Sequence, residues 1–310
     1  NIVALDLNPL DDSISVLVHE EFIGNILDQG LIEQLNGEYE FDTIYHLAAL
    51  LSTRAEFSPR AAHDVNVGGT LNLLNLAIEQ GRSQGRSVKF FFPSSIAVYG
   101  LGDADVKKNA GAITENEYCQ PKTMYGCNKL YCEHLGRYFS KYYQRLSAVS
   151  PGGMIDFRTI RFPGLISSDT VPSGGTSDYG PEMIHAVAQG EPYACFVRPD
   201  TTMPFMTMPD AISAMEKLME ADAQSLTRTV YHISSFSASA QDFADKISNL
   251  YEKGEISFKV SDKRQAIVDS WPSELDDTAA RTDWGWEPEF DFDAAFDNYL
   301  VPEINKRYGE

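Results

Sequence analysis

Positive charge is scarce in this chain. Its 310 residues carry 25 Lys and Arg against 45 Asp and Glu, a net charge of −20. Such a surface repels phosphate backbones and anionic lipid, so neither a nucleic-acid nor a membrane partner is expected. Cysteine is also sparse: Cys119, Cys127, Cys132 and Cys195 form no C-x-x-C pair. They read as free thiols of a reducing, cytoplasmic setting rather than a disulfide or zinc framework. The six histidines show no H-x-x-x-H spacing, and no metal site is expected. No apolar run approaches the ~18 residues of a membrane span, and no signal peptide is recognisable. Internal repeats and low-complexity segments are lacking as well.

A hydrophobic content of 43% is present, enough for one large α/β domain or two modest ones. Short apolar runs that read as buried strands alternate with helical patterns. The first run, 2–5, ends in an acid, Asp6; a second covers 22–26, with Asp28 beyond it. Residues 43–47 form a third, followed by the small pair Ala48-Ala49. Residues 89–93 form a fourth, with Ser94-Ser95 at its carboxyl end, and 156–162 a fifth. Apolar residues at Val65, Val67, Leu71, Leu74 and Ile78 predict a helix over 65–80. This alternation predicts a doubly wound parallel sheet that binds its ligand beyond the strands' carboxyl ends.

Tyr125 and Lys129 stand four residues apart on a helix predicted over 125–143, and so on one face. A phenol is a poor base at neutral pH, but a nearby ammonium favours the phenolate. The pair could then accept a proton from an alcohol whose hydride goes elsewhere. By itself the spacing fits an ordinary surface pair equally well.

The surrounding motifs decide between these readings. Asp6, Tyr45-His46-Leu47-Ala48-Ala49, Asn66-Val67-Gly68-Gly69-Thr70, Pro93-Ser94-Ser95-Ile96-Ala97-Val98-Tyr99-Gly100 and Tyr125-Gly126-Cys127-Asn128-Lys129 occur in an order and spacing that resemble the extended short-chain dehydrogenase/reductase family. The resemblance implies a Rossmann fold and NAD. It places Asp6 on the adenosine ribose, and Asn25 and Ile26 beside the adenine. Leu47, Ala48 and Ala49 would lie along the adenosine and pyrophosphate side, and Pro163 and Leu165 over the nicotinamide. Asn66 would brace the active-site helices at the cofactor. Ser95 would hold the reacting oxygen, Tyr125 act as base, and Lys129 lower its pKa and bond the nicotinamide ribose. Leu7 and Asn8, with no Arg for a 2′-phosphate, favour NAD over NADP. The family's glycine loop should precede Asp6, yet no G-x-x-G-x-x-G occurs in these residues. A first strand and loop upstream of residue 1 are therefore expected.

The second half narrows the resemblance. Leu50-Leu51-Ser52, Gly174-Gly175-Thr176-Ser177-Asp178-Tyr179, Met208-Pro209-Asp210-Ala211, Asp269-Ser270-Trp271-Pro272 and Asp283-Trp284-Gly285-Trp286 look like the short-chain-type L-threonine 3-dehydrogenases. That implies oxidation of the L-threonine 3-hydroxyl to 2-amino-3-oxobutanoate in a homodimer joined through the catalytic helices. Ser52, Thr176, Tyr179 and Trp271 would join Ser95 and Tyr125 at the substrate. The plainer alternatives are a loop hydroxyl for Thr176 and a packing residue for Trp271.

Residues 1–166 are expected to form the NAD-binding domain. Residues 167–310 would form mainly a small substrate lobe and lid, interleaved with the core. In the lobe, helices are expected over 209–219, 239–250 and 292–306, and strands over 229–233 and 257–260. Residues 101–117 read as an irregular loop and 147–153 as a linker. Two other functions share the first-half motifs: a nucleotide-sugar 4-epimerase or dehydratase, and a non-catalytic NAD(H)-binding protein. The dispersed basic residues of the second half weigh against the former, and an intact Ser95, Tyr125 and Lys129 against the latter.

Overall fold

A computed structural model describes residues 1–148, 153–172 and 174–309. Of the expected 147–153 linker, residues 149–152 lie outside these, as does Ser173 of the glycine-containing loop.

The chain opens with β1 (Val3–Asp6), the short α1 (Asp12–Ser15) and β2 (Glu20–Ile23), which pairs with β1 in parallel. The Asp28 carboxylate caps α2 (Gln29–Glu38), accepting from the Gly30 and Leu31 amides. Next come β3 (Thr43–Tyr45), α3 (Ser52–Phe57) and α4 (Pro59–His63). A π-helical turn, Asp64–Gly68, leads from α4 into α5 (Gly69–Gln84). The stretch from Ser52 to His63 is therefore helical but for Ser58.

The centre of the molecule is β4 (Val88–Ser95). Its Phe90, Phe91 and Phe92 are all buried. Strand alternation sends Phe90 and Phe92 to one face, where both stack on Phe157 beneath α5 and α7 (Met124–Lys141). Phe91 points to the other face, into a cluster with Met206, Ala214, Leu218 and Trp286. Between β4 and α7, the expected irregular segment contains α6 (Ala104–Ala110) and β5 (Ala112–Ile113). The Asp103 side chain caps α6 by accepting from the Val106 amide, which makes a helix of a stretch too polar to show a periodic apolar face.

After α7 the chain forms β6 (Ile155–Phe162), paired in parallel with β4 over its whole length, and β7 (Gly164–Ile166). It continues through α8 (Tyr179–Ala188), β8 (Tyr193–Cys195), β9 (Thr202–Thr207) and α9 (Met208–Glu220). Strand β10 (Val230–His232) then returns to the central sheet and pairs in parallel with β6. The central order is β10-β6-β4-β3, every neighbour parallel, with helices packed on both faces. This is a doubly wound α/β fold.

A separate three-stranded sheet, β11-β9-β7, is completed by β11 (Phe236–Ser239). With α10 (Ala240–Leu250) it frames a second core around Tyr179, Phe196, Phe205, Phe243 and Phe296. The C-terminal helix expected over 292–306 is present, with a π-helical stretch at Ala295–Leu300.

Candidate active site

A cavity of about 780 Å³ opens beyond the carboxyl ends of β4 and β6. Its wall begins with Ser95. Alternation along β4 turns the neighbouring Ser94 the other way, where its hydroxyl donates to the buried Glu133 carboxylate. Glu133 also receives a bidentate pair of bonds from Arg161, at 2.9 and 2.7 Å. The Ser95 hydroxyl instead accepts from the Ala97 amide at 3.1 Å, at the edge of the cavity.

Helix α7 supplies the next two groups. Thr123 caps it, accepting from the Gly126 amide, and sets Tyr125 in its first turn and Lys129 in its second. Close approach of α7 to the turn after β4 requires glycine here: a Cβ on Gly126 would lie 2.0 Å from the Ala97 carbonyl oxygen. The Lys129 ammonium donates to the Pro93 carbonyl at 2.6 Å, lies 4.5 Å from the Phe92 ring centre and 5.5 Å from that of Tyr125. Burial disfavours its charge and pulls its pKa down to about 8. Burial also pushes the Tyr125 phenol above its ordinary range. Desolvation therefore sets the direction at Tyr125, where the sequence reading expected a lowering by Lys129.

The turn after β3 is held from behind. Asn66, in the π-helical turn, accepts from the Leu50 amide at 2.7 Å and donates to the Leu50 carbonyl at 3.0 Å. It also donates to Asn128 of α7 at 3.3 Å. His46 is buried below, bonded to Thr70, and desolvation lowers its pKa to about 3, so the ring is neutral. These contacts fix Leu47 and Ala49 on the cavity wall.

Helix α3 contributes Ser52, Thr53, Arg54 and Phe57 to the wall. The Thr53 hydroxyl donates to the Gly174 carbonyl at 3.1 Å, and an Arg264 nitrogen does so at 3.3 Å. These bonds draw the glycine-containing strap across, so that Gly175, Ser177 and Asp178 line the cavity with Trp271.

Of the residues singled out in the sequence, the cavity brings together Leu47, Ala49, Ser52, Ser95, Tyr125, Lys129, Pro163, Leu165 and Trp271. Ala48 is exposed but outside the lining. Asp6 stands exposed at the end of β1, accepting from the Asn8 amide at 2.9 Å. Asn25 accepts from the Leu27 amide, and Ile26 is packed against Gly69. Asn66 and Thr176 are buried behind the wall. Tyr179 does not reach the cavity: its ring is wholly buried, edge-on to Phe196, Phe205 and Phe243. An aromatic ending a polar loop suggests a lid, but here it anchors the strap in the second core. Sequence reasoning missed Arg54, Ser177 and Asp178. The two strap residues adjoin Thr176, and Arg54 follows Ser52 by two positions on α3.

Comparison with known proteins places this arrangement. The sequence profile described as the NAD dependent epimerase/dehydratase family matches residues 7–234. An uncharacterized epimerase/dehydratase of Staphylococcus saprophyticus is 36% identical over 297 residues, covering 95% of this chain and 86% of that protein. The mitochondrial L-threonine 3-dehydrogenase of Bos taurus is 33% identical over 269 residues, covering 86% of this chain and 66% of that protein. Among solved structures, a monomeric L-threonine 3-dehydrogenase from a metagenome, in its apo form, superimposes with a TM-score of 0.83. It is 36% identical and covers 99% of this chain and 91% of that one. With its Rossmann-type sheet and a match across most of its length, the chain belongs to the NAD-dependent epimerase/dehydratase family of extended short-chain dehydrogenase/reductases.

Proposed function

We propose that the protein oxidises the 3-hydroxyl of L-threonine to 2-amino-3-oxobutanoate with NAD as acceptor. The observation that carries this reading is the convergence of Ser95, Tyr125 and Lys129 on one cavity that a strap and Trp271 cover. A hydroxyl-rich wall of that size suits a small polar alcohol beside a nicotinamide.

The residues present fit the cofactor. An apolar floor of Leu47, Ala49, Pro163 and Leu165 meets a donor set of Ser95, Tyr125 and Lys129, suited to a nicotinamide and its ribose hydroxyls. Asp6, Asn25, Ile26 and Ala48 would line the adenosine half, and Asn66 braces the turn between. Bound NAD supplies the hydride acceptor. The Ser95 hydroxyl orients the substrate oxygen, and the Tyr125 oxygen takes its proton. Lys129 donates to the ribose while its charge favours the phenolate that proton transfer requires. The strap, with Thr176 behind it, and Trp271 exclude water. A cytoplasmic setting belongs to the same reading, supported by the four free cysteines. So does a homodimer joined through α7 and α5, supported by exposed Tyr131, Tyr138 and Leu71 on these helices.

NADH absorbance on mixing the full-length protein with NAD and L-threonine tests the proposal, with UDP-glucose and UDP-galactose in parallel. NADH growth with threonine alone is expected. Silence with threonine and turnover of a sugar nucleotide would instead favour the epimerase reading that the family name supports.

A further inference from the structure

We infer that Arg54 is the residue by which the cavity recognises a carboxylate on its substrate. Arg54 lines the cavity from α3, with Ser52 and Thr53, and is itself exposed. Among the described residues no acid pairs with it. Two carboxylates of this region bond to backbone amides: Glu56 accepts from the Met124 amide at 2.6 Å, and Asp178 from the Gly175 amide at 2.7 Å.

Its place distinguishes a substrate contact from a cofactor contact. Thr53, the preceding residue, is tied to Gly174, so this turn of α3 abuts the strap. The strap with Trp271 is the part of the wall that covers the substrate. The other cation of the cavity, Lys129, is engaged with Pro93 beside Tyr125. Arg54 is therefore free to anchor a second end of the molecule whose hydroxyl meets Tyr125 and Ser95. The planar fork of a guanidinium matches the two oxygens of a carboxylate, which an ammonium or an amide side chain does not reproduce. The substrate class this assigns is a small hydroxy acid carrying its carboxylate beyond the reacting carbon.

The inference rests on the threonine reading for its first assay substrate. The test compares L-threonine with L-threoninamide, which lacks only the anionic end, in the parent, Arg54→Gln and Arg54→Lys proteins. The parent should favour threonine by about 100-fold in kcat/KM, a discrimination typical of a lost charged hydrogen-bond partner. Arg54→Gln should lower kcat/KM for threonine by a similar factor of about 100, chiefly through KM, with threoninamide changed by less than about twofold. Arg54→Lys should recover part of the loss. An equal loss with both compounds, or a rise confined to the KM for NAD, would overturn the inference. If the parent yields no NADH from threonine, the threonine reading fails separately. The variants are then compared on L-serine, 3-hydroxybutanoate and UDP-galactose. A carboxylate turned over by the parent and lost in Arg54→Gln sustains the role of Arg54. Turnover of UDP-galactose alone, or silence with all, overturns it.

Discussion

Lys129 holds a largely buried ammonium at the cavity wall, with one carbonyl and two aromatic rings for company. Its pKa of about 8 in the folded chain lies below the 10.5 of a free lysine. Between those values the unfolded chain binds more protons than the folded one, so stability rises with pH. The penalty of the buried charge is fully present below pH 8 and fades as pH approaches 10.5. Lys129→Met is therefore expected to lower turnover by at least about 100-fold without lowering the melting temperature at pH 7. Its melting temperature relative to the parent should decline as pH rises to 10. A difference that stays constant with pH would show that the charge is not desolvated. The common placement of Tyr125 and Lys129 was legible in the sequence, because i,i+4 spacing on one helix fixes geometry locally. Tyr179 and Arg54 were not legible: tertiary packing brings Phe196, Phe205 and Phe243 around the one, and the other sits on a helix the sequence pattern does not reveal.

At the scale of elements, α7 is held unusually close to the sheet. A Cβ at Gly136 would lie 2.1 Å from the Phe157 ring, which is already stacked between Phe90 and Phe92. The ring has no room to retreat. Gly136→Ala should destabilise the protein by about 1–3 kcal/mol through overpacking, measured as a shift in urea midpoint. Because the same helix carries Tyr125 and Lys129, kcat should fall as well. An unchanged midpoint would mean that α7 shifts freely on the sheet. The strands of the central sheet were legible from their apolar runs. The π-helical turn that lets Asn66 grip Leu50 and Asn128 was not, since a five-residue widening leaves no mark on hydrophobic periodicity. Helix α6 was hidden for a related reason: its definition comes from a cap rather than from an apolar stripe.

At the scale of the molecule, the proposed dimer would bring together two copies that each carry a charge of −20. Like charge opposes association, and salt screens it over a Debye length of about 8–10 Å. Sedimentation should therefore show a dimer fraction that grows with ionic strength. Tyr138→Glu, on the exposed side of α7, should return the protein to a monomer at all salt concentrations. A parent protein that sediments as a monomer throughout would remove the dimer from the proposal.

Strand β10 comes from beyond residue 166 yet pairs with Thr159–Arg161 of β6 inside the central sheet. The second core likewise mixes Ile96 to Leu101 with residues as late as Ile304. A genetic crossover between two relatives near position 166 would separate a strand from its partner and split a core between unmatched parents. Inheritance by exchange of whole halves is therefore costly for this architecture. New specificities are reached more cheaply through point changes on α3, the strap and the turn bearing Trp271, where side chains meet the cavity without carrying the sheet.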